Sequence, residues 1–168
     1  MPERTLGRTL AEGVFRVIAT LIVLTVSGLG LDIGLRLPSY GSGPWSWAGL
    51  GPIAVGVGLE VLGTVAFWKQ GGGTPHPAAP PKRLVLDGPF AYTRNPLYLG
   101  RFLILFGVSI VLGSPGILVV LVGLILFVQF VLLPREERRL AARHGPAYDQ
   151  YSSRVRRWVP WPRLRRRG

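Results

Sequence analysis

The chain has 168 residues, of which 48% are hydrophobic and 23 are glycine, and it carries a formal net charge of +12. Its apolar residues gather into long stretches almost free of charge, which excludes a water-soluble globular domain and gives the pattern of a bilayer-spanning protein. Without cysteine there is neither a disulfide framework nor a thiolate metal site or nucleophile, and His76 and His144 cannot by themselves make a metal centre.

In chain order, the first apolar run follows Arg4, Arg8 and Arg16, an arrangement that superficially fits a signal peptide. No clear small-residue cleavage site lies between Leu29 and Leu37, and further apolar runs follow, so residues 13–35 are expected to be a retained first span. Pro38, Gly41, Gly43 and Pro44 then predict a turn, with Trp45 and Trp47 as interfacial anchors. Residues 49–68 form the second expected span. The Gly- and Pro-rich stretch that follows, residues 71–81, forbids regular helix and reads as an ordered cap.

Residues 96–112 and 116–133 are the third and fourth expected spans, the third being the shortest. Only Gly113-Ser114-Pro115-Gly116 joins them, so they form an antiparallel hairpin. Good helix formers from Arg135 to His144 carry the fourth helix onward until Gly145-Pro146 stops it. Tyr148, Tyr151, Trp158 and Trp161 recur among arginines beyond that point and read as interfacial anchors.

A charge of +12 is also what a nucleic-acid-binding protein would show, so the placement of the basic residues decides. Eleven of the 20 follow Pro134, directly after an apolar run, where a cytoplasmic flank meets anionic lipid. Membrane lipids, and no nucleic acid, are therefore the expected partners. Arg4 and Arg8, then Lys69, Lys82, Arg83 and Arg94, then the tail, place both termini and the 69–95 loop on the cytosolic side of the cytoplasmic membrane. The expected fold is an all-α integral membrane bundle of four transmembrane helices with a C-terminal cytosolic helical extension. Residues 1–70 hold the first two spans, and residues 71–168 hold the cytosolic loop, the hairpin and the basic tail.

Two clusters carry chemistry. One runs from Lys82 through Gly88-Pro-Phe-Ala-Tyr-Thr-Arg-Asn-Pro-Leu-Tyr-Leu-Gly100, and the other is Arg135-Glu136-Glu137-Arg138 at the exit of the fourth span. A hairpin puts both at one membrane surface, where they can face one pocket. Glu60 and Arg101, ionisable groups well inside the second and third spans, must face protein or a wet cavity and can pair with one another.

The order of these elements resembles the membrane methyltransferases of the isoprenylcysteine carboxyl methyltransferase and phospholipid methyltransferase type. The resemblance rests on Gly88 to Gly100, on Glu136-Glu137 after the hairpin, on Gly145-Pro-Ala-Tyr148-Asp-Gln-Tyr151 and on Val159-Pro160, with Gly73-Thr-Pro-His-Pro upstream. It implies S-adenosylmethionine as methyl donor, a lipidic or hydrophobic small-molecule acceptor, and donor contacts from Lys82, Arg83, Leu84, Val85, Phe90, Asn95, Pro96, Leu97, Tyr98, Glu136 and Glu137. Such relatives often have His where this chain has Asn95, which binds through hydrogen bonds but does not titrate near neutral pH. In the isoprenylcysteine enzymes an arginine four residues before the first glutamate helps bind the acceptor; here that position is Leu132.

Overall fold

The computed structural model describes residues 6–41, 43–71 and 84–158. Among them the protein is all-helical: α1 (Leu6–Leu35), α2 (Leu50–Gly71), α3 (Pro96–Leu112), α4 (Pro115–Phe127), α5 (Leu133–His144) and α6 (Pro146–Arg154). Short 3₁₀ turns at Pro44–Gly49 and Gly88–Ala91 precede α2 and α3. Gly71 ends α2, and residues 72–81 of the expected cap, with Trp161, lie outside the described residues.

Three stretches among the described residues are long and apolar enough to cross a bilayer, namely Gly13–Leu35, Pro44–Gln70 and Pro115–His144. The third expected span, α3, is a shorter apolar helix of 17 residues with the predicted bounds. Its limits follow from local chemistry. Pro96 opens it at the first helical position, where a missing N–H costs nothing. Gly113 closes it with φ +61°, a conformation that a Cβ would strain. The next residue already starts α4, with the Ser114 hydroxyl accepting from the Ile117 amide and Pro115 at the first position. The hairpin is therefore as tight as its four-residue link requires.

The fourth span does not stop at Leu133. Pro115–His144 is one 30-residue rod, about 45 Å long, which exceeds the ~30 Å hydrocarbon layer. It contains one π turn, Val128–Leu132, where the Leu133 amide bonds the Val128 carbonyl five residues back. Pro134 explains the turn: an interior proline has no N–H to give and its ring crowds the carbonyl four residues earlier, so a widened turn lets the helix pass without breaking.

Helices associate through small residues, as expected where lipid offers no hydrophobic drive to pack. At the α2–α3 crossing, a Cβ on Gly56 would lie 2.5 Å from the Gly100 carbonyl oxygen, and Gly49 and Gly107 meet backbone to backbone one crossing layer away. Gly107→Val is therefore expected to force α2 and α3 apart. In detergent, its melting temperature should fall well below that of Gly51→Val, since a Cβ on Gly51 meets nothing within 4 Å. At the far end of the bundle, α1 is tied to α4 by the Asp32 carboxylate, which accepts from the Ser114 hydroxyl and from the Gly116 amide at 2.6 Å. Phe102, Leu105, Ile117, Leu121, Val128 and Leu133 form the principal core.

Candidate functional site

The hairpin brings the two sequence clusters together at the end of the bundle that bears the tail. Tyr98, on the first turn of α3, donates its hydroxyl to Glu136 Oε1 on α5 at 2.9 Å. Among the described residues Glu136 makes no ion pair, although Arg139 and Arg101 lie near enough to act on it through their fields. A half-buried carboxylate held by one phenol keeps lone pairs for a ligand.

Glu137 faces elsewhere. Its Oε1 meets Arg94 Nη1 at 3.0 Å, and Arg157 grips both oxygens, Nε to Oε1 at 2.8 Å and Nη2 to Oε2 at 2.5 Å. That fork raises the pKa of Arg157, chiefly through the hydrogen bond to Glu137. The two glutamates thus diverge, one toward Tyr98 and one toward a clamp on the tail. Helical geometry requires this, because adjacent residues point about 100° apart.

The clamp is part of a larger docking of the tail. The Arg157 carbonyl accepts from Thr93 Oγ1 at 2.7 Å and from Asn95 Nδ2 at 3.1 Å, while the Arg94 amide donates to the Arg156 carbonyl. Tyr151 donates to the Phe90 carbonyl at 2.8 Å, and Trp158 lies on Phe102 and donates to Gln129. Tyr148 and Tyr151 are buried, at 5% and 9% exposure, and burial raises the pKa of both phenols. This corrects the expectation that Tyr148, Tyr151 and Trp158 are interfacial anchors: they are packing groups that fold the tail back over the start of α3. Tyr151→Phe should leave a buried carbonyl without its donor and cost about 1–3 kcal/mol, measurable as a lowered melting temperature.

The remaining expected donor contacts are distributed as follows. Val85 and Phe90 are buried in a cluster with Ala66 and Phe67 at the end of α2, Phe90 edge-on to Phe67 at 5.0 Å. Leu84 is half-buried beside them in sequence, and Pro96 and Leu97 are buried in the first turn of α3, Leu97 against Gly63. Asn95 faces the tail. Lys82 and Arg83 lie outside the described residues. The direct side-chain meeting is Tyr98 with Glu136.

One feature had no signal in the sequence. A cavity of about 160 Å³ borders Tyr98, lined by Thr20, Leu21 and Leu24 of α1, Arg101 and Phe102 of α3, and Leu124, Phe127, Val128 and Leu132 of the fourth rod. Arg101 also meets Glu60 of α2, Nε to Oε1 at 2.9 Å, the pairing expected from two lone charges in neighbouring spans. Its guanidinium carbon sits 5.6 Å from the centre of the Tyr98 ring.

Comparison with known proteins adds to this geometry. The sequence model of a family described as phospholipid methyltransferase matches residues 46–147, more than half of the chain. A Schizosaccharomyces pombe protein, protein-S-isoprenylcysteine O-methyltransferase, is 35% identical over 78 residues, covering 46% of this chain and 33% of that protein. The chain thus spans about a third of the length of that curated relative. No solved structure matches it.

Proposed function

The chain belongs to the phospholipid methyltransferase family of integral membrane proteins, and from that premise we propose that it is an S-adenosylmethionine-dependent methyltransferase acting on a lipidic or membrane-accessible acceptor. The observation that carries this reading is the Tyr98–Glu136 contact: a carboxylate free of ion pairs among the described residues, held by a tyrosine that borders a largely apolar cavity. The donor set fits. Glu136 would hold the ammonium or ribose hydroxyls of S-adenosylmethionine, Tyr98 and Phe90 would supply aromatic surface, and backbone amides near Leu84 and Val85 would reach the adenine edge. When bound, that cofactor supplies an electrophilic methyl group. The protein then has to orient an acceptor beside it and keep water out, and it needs no general base where the acceptor is already an anion. Tyr98 meets Glu136 and also borders the cavity, so it would stand between donor and acceptor.

We read the topology as four spans, with α3 crossing the bilayer as well as the three longer stretches. Its 17 apolar residues give about 25 Å of rise, at the short limit for a bilayer helix, and its two neighbours in the bundle are long enough to span. The arginine-rich tail then sits in the cytosol with the N-terminus, and the site faces that compartment. A reporter fused after Gly168 should read as cytoplasmic and one inserted at Gly41 as external. A cytoplasmic signal at Gly41 would contradict four spans.

The enzymatic proposal is tested by incubating purified protein with methyl-labelled S-adenosylmethionine and total lipid extract. Label should enter the organic phase. No transfer to lipid or small-molecule fractions, with cofactor bound, would leave a binding protein that keeps the fold without turnover. Transfer to an amine rather than a carboxylate would mark an N-methyltransferase.

A further inference from the structure

The cavity beside Tyr98 contains one cationic group, and that group is incompletely satisfied. Arg101 presents five N–H donors on a planar fork. Its Nε edge faces Glu60, in ion-pair contact but without hydrogen-bond alignment, and among the described residues no acceptor meets the two terminal amino groups. The side chain is 27% exposed. A guanidinium this close to hydrocarbon, a turn and a half inside an apolar helix, requires partners for those donors. The rest of the wall is apolar, apart from Thr20 and the Tyr98 hydroxyl, which is already committed to Glu136.

The wall itself is informative. Thr20, Leu21 and Leu24 come from α1, a helix outside the 46–147 family match. Thr20 and Phe127 are exposed on the flank of the bundle, so the cavity is reached from the lipid side between α1 and α4. At about 160 Å³ it is close in size to an engineered cavity that admits one benzene, so it holds the near end of one chain and not two side by side.

We propose that Arg101 is the head-group anchor of this cavity and determines its specificity, selecting a single-chain amphiphile with an anionic oxygen head, carboxylate or phosphate, whose chain lies against α1. A planar fork matches two oxygens of either anion, and Glu60 fixes the fork from behind without occupying its outer end. Calling this ligand the methyl acceptor rests on the methyltransferase reading; the binding preference does not.

Full-length protein in detergent is titrated with palmitate, hexadecyl phosphate, hexadecanol, hexadecylamine, acetate and inorganic phosphate, and S-adenosylmethionine binding is measured on the same samples. Palmitate and hexadecyl phosphate should bind at least about tenfold more tightly than hexadecanol or hexadecylamine, and the chainless anions should not bind. A larger hold on one of the two anionic heads identifies which the site reads. Glu60→Leu with Arg101→Leu removes both charges together, a change that buried ion pairs tolerate far better than loss of one partner. That double variant should lose the preference for acids while still binding hexadecanol, and Thr20→Trp should weaken every chain-bearing ligand. Equal binding of palmitate and hexadecanol, a preference that survives the double variant, or chainless anions binding as well as palmitate would each overturn the proposal. If the preference holds but S-adenosylmethionine does not bind, the amphiphile site stands and the methyltransferase reading fails.

Discussion

Glu137→Ala is expected to detach the tail and destabilise the protein by about 3–5 kcal/mol, the cost of leaving buried charge without its partner. Arg94 is the residue that makes the loss large. Its side chain is 15% exposed and, with Glu137 gone, it retains only a 3.3 Å contact to the neutral Tyr148 hydroxyl. Arg157 loses a bidentate fork at the same time, though its 33% exposure lets water recover part of that. Since Arg156 and Arg157 carbonyls anchor Arg94, Thr93 and Asn95, the tail and the entry to α3 should loosen together. Hydrogen exchange should show faster amides in both segments, with the α2–α3 crossing unchanged. Glu137→Gln, which keeps two acceptor positions near the fork, should lose less.

Glu136→Gln is expected to do the opposite: little change in melting temperature, and S-adenosylmethionine binding weakened by about 1.5–3 kcal/mol, roughly 10- to 150-fold. Tyr98 can still donate to a glutamine carbonyl, so the local geometry persists. What disappears is the charge offered to the ligand. Adjacent acids with opposite outcomes would show that one binds and one braces.

Much of this was readable from the chain before any coordinates. Asn95-Pro96 and Gly113-Ser-Pro fixed both ends of α3 because proline and left-handed glycine act locally, whatever surrounds them. The meeting of residues 94–98 with 136–137 followed from a link too short for anything but a hairpin. Glu60 and Arg101 found each other because a lone charge in hydrocarbon has few places to go. By contrast, the division of labour within Glu136-Glu137 depends on the phase of a long helix that carries a π turn over Val128–Leu132, and no short-range signal sets that phase. The burial of Tyr148 and Tyr151 was missed because aromatic residues among arginines look alike whether they rest in headgroups or fold back onto the protein. Only the partners, Phe90 and Arg94, distinguish the cases. The part of α1 in the cavity had no signal of its own, since Thr20, Leu21 and Leu24 are ordinary residues of an apolar span.

The central claim, that Glu136 and Tyr98 form the polar contact of an S-adenosylmethionine site, is tested most directly by isothermal titration of the cofactor into purified protein, its Glu136→Gln variant and Arg154→Ala, which alters an exposed charge on α6. Saturable binding to the parent, unchanged in Arg154→Ala and at least tenfold weaker in Glu136→Gln, is the predicted result. Parent-like binding by Glu136→Gln, or no saturable binding to the parent, would contradict it.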